Sequence, residues 1–248
     1  MSIKNKLKTW RKRILGEDFT MLTELYWAQI YNSTIQSSDW LINKAISPGR
    51  WAVGYNYLYV LYRVLDDMRP RHILELGLGQ STKVIGQYAM NCNLSGPVAH
   101  VVVEHDREWE EFFLKRNRDL CKKTKFLTLP LIDAEKQGEK FKAYQGFKEA
   151  IQKLNIKFNV LSIDGPLGSG IYWGRRDILP CLPECLAQDF IIIFDDFGQR
   201  KSVASTLKET EEILRQNKIE YVKGIYPGVA HKGVCVLTSA TWKFLTSL

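Results

Sequence analysis

The sequence predicts an α/β protein: five parallel strands, then an antiparallel pair, behind a helical N-terminal cap. Three observations carry this. From His72 onward, short apolar runs alternate with polar, helix-compatible stretches, the rhythm of β-α-β units. The last two runs are separated only by Pro227–Lys232, too short for a crossover helix, so that pair must be antiparallel. Before Pro70 the chain reads as mainly helical, with dense apolar residues at Trp40–Ile42 and from Ala52 to Leu65.

The elements follow in order. Ile3, Leu7, Trp10 and Leu15 lie near helical spacing among basic residues, which predicts a short amphipathic helix at the N-terminus. Ser47-Pro48-Gly49 breaks the helical region, and Pro70 closes its last helix. Strands are predicted over His72–Leu76, Ala99–Glu104, Lys125–Leu129, Phe158–Ile163 and Phe190–Phe194. Helices are predicted between them over Thr82–Met90, Glu108–Leu120, Glu139–Leu154 and Arg176–Leu186. The helix Ser202–Gln216 precedes the closing strands Glu220–Tyr226 and Gly233–Thr238. The division is residues 1–69 as cap and 70–248 as the α/β domain.

Composition excludes several classes. With 248 residues, 45% hydrophobic and 25% charged, the chain is long enough for one sizeable core. No run approaches the roughly 18 apolar residues of a spanning helix. Five cysteines, an odd number without a C-x-x-C pair, argue against a disulfide framework and for a reducing, cytoplasmic setting. The net charge of +8 is concentrated: Lys4, Lys6, Lys8, Arg11, Lys12 and Arg13 precede the first acid, Glu17, and the rest carries only +2. That distribution argues against a nucleic-acid substrate, whose enzymes spread basic residues over a working face. It leaves residues 1–15 as a candidate peripheral contact with anionic lipid at the inner face of a membrane, with Trp10 at the headgroup level.

The first strand runs into Glu75-Leu76-Gly77-Leu78-Gly79-Gln80-Ser81-Thr82. Glycines allow a sharp turn and close approach of a ligand, and Ser81 or Thr82 suits the start of a helix whose N-terminus attracts an anionic group. A dinucleotide fingerprint needs a third glycine where Thr82 stands. Glu75 disfavours a pyrophosphate and suits a ligand with a positive group. The run resembles the first motif of class I S-adenosylmethionine-dependent methyltransferases, and the second strand ends in Glu104, 27 residues after Gly77. The resemblance implies a Rossmann-like seven-stranded methyltransferase sheet over about residues 70–240, with S-adenosyl-L-methionine as cofactor. It implies that Glu75, Gly77, Gly79, Gln80, Ser81 and Thr82 hold the methionine end and that Glu104 binds the ribose hydroxyls. Leu131 and Ile132 are candidates for the adenine wall.

Ligands of open parallel sheets sit beyond the carboxyl ends of the strands. The fourth strand delivers Asp164 there and the fifth delivers Asp195 and Asp196. Three converging carboxylates repel, and a divalent cation (magnesium, manganese or calcium) would relieve them. Cation-dependent O-methyltransferases are similar, with an acid after the fourth strand and Asp-Asn after the fifth; here Asp196 replaces the Asn. The alternative makes Asp164 a general base, with one Asp of the pair capping a helix or holding the loop. The stretch from Asp164-Gly165-Pro166 to Gly174-Arg175-Arg176 resembles glucuronoxylan O-methyltransferases and implies a carbohydrate or other hydroxyl acceptor. Arg175 and Arg176 are then candidate partners for an acidic group on the acceptor. Tyr172 and Trp173 are candidates for its wall, Trp51, Tyr55 and Tyr57 for a lid, and His231 for a proton acceptor. Cys181 and Cys185, four apart on a predicted helix, read as packing. The expected activity is O-methylation of a small hydroxyl or glycan acceptor. A nucleic-acid methyltransferase, a nicotinamide-dependent oxidoreductase and a non-catalytic partner that keeps the fold are the rivals.

Overall fold

Residues 21–34 form helix α1 in the computed structural model, which describes residues 21–48, 52–166, 174–198, 201–229 and 232–248. Next comes α2 (Tyr55–Met68), which ends where Arg69 adopts a left-handed conformation (φ 51°) just before Pro70. The α/β part is β1 (His72–Leu76), α3 (Gln80–Asn91), β2 (Ala99–Glu104), α4 (Arg107–Asn117) and β3 (Thr124–Thr128). A hairpin of β4 (Leu131–Lys136) and β5 (Glu139–Tyr144) follows, then α5 (Phe147–Leu154) and β6 (Phe158–Ile163). The chain closes through β7 (Leu186–Phe197), α6 (Lys201–Gln216), β8 (Val222–Tyr226) and β9 (Gly233–Thr238).

Seven strands form one sheet in the order β3-β2-β1-β6-β7-β9-β8. The first five in this order pair in parallel, and β9 joins β7 and β8 antiparallel. The strand order reverses between β1 and β6, so the loops after these strands diverge there and open a crevice.

Strand alternation divides the core. Ile73, Val160, Ile191 and Val236 face α2 and α3, together with Trp27, Tyr31 and Trp40 from the N-terminal region. Leu74, Leu76, Leu161 and Ile192 face the other way, against Ile151 of α5 and Leu207 of α6. Ten of the fourteen α2 residues are buried, because α1 covers its outer side through Trp27 against Tyr59 and Tyr31 against Tyr55. The region before β1 thus shares one hydrophobic core with the sheet. No described helix is long and apolar enough to cross a membrane.

Three predicted elements differ. The helix expected over Glu139–Leu154 begins only at Phe147; Glu139–Tyr144 is instead the second strand of the hairpin. Both central residues of its turn, Gln137 and Gly138, have positive φ, as a two-residue hairpin turn requires. The strands hid because both are heavily charged, with Asp133 opposite Lys142 and Glu135 opposite Lys140. The helix expected over Arg176–Leu186 is replaced by a short 3₁₀ turn, Leu179–Cys181. Pro180 and Pro183 remove the amide donors a longer α-helix needs. Cys181 and Cys185 are therefore not on an α-helix, although both are buried in the core. The fifth parallel strand runs over twelve residues, Leu186–Phe197, rather than five.

Candidate functional site

A cavity of about 390 Å³ opens at the tips of β1, β2 and β6. That lies within the roughly 300–1,000 Å³ of small-molecule sites. Its floor is Gly77 and Leu78 on one side and Gly165 and Pro166 on the other. These two loops touch through their backbones: Gly165 N donates to Leu76 O at 2.7 Å, and Asp164 N to the same oxygen at 3.1 Å. Gly77 has φ +98°, and a Cβ there would lie 3.1 Å from Gly165 N. Both facts demand glycine. At Gly79, by contrast, a Cβ would meet nothing within 4 Å among the described residues.

Glu104 ends β2 and is 5% exposed. Its Oε2 accepts from Leu78 N at 2.9 Å, and its Oε1 accepts from His105 N at 2.7 Å and Asp106 N at 3.0 Å. His105 Nδ1 lies 2.8 Å from the same Oε1. Burial alone would raise the Glu104 pKa, but the hydrogen bonds from His105 and the three backbone amides hold it below the usual value. Glu104 is therefore an anion at neutral pH. The same pairing raises the His105 pKa. Oε2 has one donor and can accept another, whereas a second ligand hydroxyl would compete with the His105 side chain.

Sequence reasoning missed four members of the wall: His105, Asp106, Trp109 and Tyr144. Trp109 stands one turn into α4, held by Nε1–H donating to Leu78 O at 2.9 Å. Asp106 caps that helix by accepting from Trp109 N at 2.9 Å. An aromatic five residues past the acid was the available signal. Tyr144 comes from the unforeseen hairpin and is fixed by its own N–H donating to Asp177 Oδ1 at 2.7 Å. Burial pushes the Asp177 carboxyl up to about 6.

The rest of the loop after β1 serves the fold. Thr82 Oγ1 accepts from Gly79 N at 3.0 Å and caps α3, with Ser81 buried beside it. Gln80 Oε1 accepts from Ser47 N at 3.1 Å, tying the N-terminal region to α3. Glu75 does not line the cavity. It is 1% exposed, paired through Oε2 with His100 Nε2 at 3.1 Å, and its Oε1 has no hydrogen-bond partner among the described residues. Strand alternation turns its side chain to the face where His100 lies on the neighbouring strand. Leu131 and Ile132 do not line the cavity either. They sit in β4, Leu131 packed on the second core and Ile132 exposed.

Asp164 borders the cavity, and behind it Asp195 and Asp196 complete the predicted acidic cluster. One oxygen from each lies within 4.8 Å of the others. Burial, with repulsion from Asp164 and Asp196, pushes the Asp195 carboxyl well above the usual range. Arg175 is not a solvent-facing acceptor ligand. It is 1% exposed, with Nη2 at 2.9 Å from Asp164 Oδ1 and 3.0 Å from Asp196 Oδ2. Arg176 pairs with Glu209, which Lys136 of the hairpin also engages at 3.0 Å. That pairing joins α6 to the hairpin and directs Arg176 away from an acceptor. Tyr57 is no lid: it is fully buried in α2 and shares a hydrogen bond with Ser162. Tyr55 packs on Tyr31. Residues 1–15, Trp51, Tyr172, Trp173 and His231 lie outside the described residues.

No family model and no curated protein sequence matches the chain. Solved structures do. A Klebsiella pneumoniae protein given as a candidate O-methyltransferase is 13% identical, with a TM-score of 0.53 over 87% of this chain and 98% of its own. The O-methyltransferase TomG of Streptomyces achromogenes, involved in tomaymycin synthesis and solved with S-adenosylmethionine, is 12% identical. Its TM-score is 0.51 over 91% of this chain and 95% of its own. Likeness at such low identity speaks to architecture, and it agrees with the strand order and the antiparallel closing pair. The chain has the Rossmann-like seven-stranded methyltransferase fold, with the β4–β5 hairpin as a separate two-stranded sheet.

Proposed function

We propose that the chain is an S-adenosylmethionine-dependent methyltransferase acting on a hydroxyl acceptor, a carbohydrate or other small molecule. One observation carries the reading: an ionised, nearly buried Glu104 faces a cavity whose floor is two glycine loops in backbone contact. A carboxylate there suits vicinal ribose hydroxyls and repels a pyrophosphate. Gly79 is not demanded by packing, so its value lies in letting a ligand approach the start of α3, where the helix N-terminus suits a carboxylate. Trp109 and Leu78 offer flat apolar surface for a base.

When bound, the cofactor supplies a methyl group already activated by a sulfonium. The protein's task is then alignment, worth about 7–11 kcal/mol in well-oriented cases, plus removal of the acceptor's proton. Of the three acids in the cluster, Asp164 is the one that borders the cavity, so it would take that proton as the acceptor oxygen bonds to the methyl carbon. No residue of the chain has to protonate the leaving group, because the thioether that a sulfonium would release is neutral. Asp195 is buried behind Asp164 and does not line the cavity, so it is not the group that receives the proton.

A screen of sugar, phenol and amine acceptors with methyl-labelled cofactor tests this. Label is expected in an ether of a hydroxyl acceptor. Transfer only to amines or to nucleic acid would overturn the acceptor class.

A further inference from the structure

The acidic cluster at the tips of β6 and β7 has a donor set that a hard divalent cation prefers: three carboxylates whose oxygens converge within 4.8 Å. Such a cation needs lone pairs directed into a space it can enter. Here that space holds a side chain. We propose that Arg175 is the resident cation of this site, a guanidinium built into the chain where a divalent metal would otherwise sit, and that the site therefore takes no metal.

The geometry is specific. A single nitrogen, Nη2, bridges Asp164 Oδ1 at 2.9 Å and Asp196 Oδ2 at 3.0 Å, and Nη1 reaches the Asp195 carbonyl at 3.4 Å. One guanidinium thus contacts all three acidic residues. A second positive charge, Lys232 Nζ, stands 3.8 Å from Asp196 Oδ1. Two cations already face the cluster, and a dication would have to enter against both.

Arg175 cannot leave easily. A guanidinium does not shed its proton in a protein, so it cannot make way for a metal as a lysine or histidine can. Its side chain is 1% exposed. Its backbone has φ +60°, a conformation that a non-glycine residue keeps only when its surroundings hold it. Both flanks are tied: Thr206 Oγ1 donates to Gly174 O at 3.1 Å, and Asp177 accepts from Tyr144 N. Arg175 is a positioning residue. It holds Asp164 at the cavity edge and anchors the end of β7 in the same contact.

Calorimetric titration of the full chain with Mn²⁺ alone tests this, without cofactor or acceptor, so its outcome is separate from the fate of the proposed activity. The wild-type chain is expected to show no saturable binding below about 1 mM, the weak end of protein carboxylate sites. Arg175→Met removes the charge and keeps most of the volume. It is expected to gain one Mn²⁺ site at least about tenfold tighter than any in the wild type, and a melting temperature that Mn²⁺ raises. One wild-type Mn²⁺ site below that limit, lost in Asp196→Asn, would overturn the proposal. So would a folded Arg175→Met chain that gains no site. Should Arg175→Met not fold, the wild-type titration with its Asp196→Asn control decides alone.

Discussion

Asp164→Ala is expected to lower kcat for methyl transfer by about 10²–10⁴, the usual contribution of a positioned general base. Cofactor affinity should stay within about fivefold, roughly 1 kcal/mol, because the proposed nucleoside contacts are to Glu104 and the Gly77 loop. Truncation leaves Arg175 its contacts with Asp196 and the Asp195 carbonyl, so the guanidinium keeps partners. Asp164→Asn separates shape from basicity. It preserves the outline and one acceptor oxygen but cannot take a proton. Single-turnover rates and calorimetry on both variants check this. Full activity in the Asn variant would remove Asp164 as the base, and a parallel loss of cofactor binding would place it in the nucleoside contact instead.

Gly165→Ala should have the largest effect on the site as a whole. A Cβ there would stand 2.6 Å from the Tyr144 hydroxyl, 2.8 Å from Gly77 N and 2.9 Å from Gly77 Cα. Two of these atoms are backbone, and Tyr144 is itself buried, so none of them yields cheaply. Overpacking of this kind costs about 1–3 kcal/mol. For a chain this long that lowers the melting temperature by about 2–10 °C. The methyl would also part the two loops that form the cavity floor, so cofactor binding is expected to fall by more than about tenfold. Gly79→Ala is the control for stability alone: the same group there meets no described protein atom, so the melting temperature should hold even if the methyl hinders the proposed ligand. A melting scan and a binding titration on the pair distinguish damage to the floor from a general intolerance of side chains in the glycine loops.

The fold was largely legible in the sequence where burial dictates composition. His72–Leu76, Ala99–Glu104, Phe158–Ile163 and Gly233–Thr238 are strands covered on both faces, and their apolar runs match the observed bounds. The hairpin was not legible, because its strands lie at the surface and carry charge on both sides, which reads as a solvated helix. Of the site, the residues tied to strand ends emerged: Gly77, Glu104, Asp164, Asp195 and Asp196 all follow from where parallel strands stop. Side-chain direction did not. Glu75 faces His100 inside the sheet, and Arg175 turns inward to three acids. Alternation sets the face Glu75 takes, but what stands on that face, His100, and the acids that hold Arg175 come from elsewhere in the chain. Tyr144 was hidden for the reason the hairpin was.

The central claim is that the crevice between β1 and β6 accepts an adenosyl thioether and not a dinucleotide. Calorimetric titration of the wild-type chain with S-adenosylhomocysteine, and separately with NAD⁺, addresses it most directly. One site for the thioether is expected, with a dissociation constant of about 1–100 μM, some 5–8 kcal/mol, and no measurable heat with NAD⁺. Saturable NAD⁺ binding without thioether binding would contradict it.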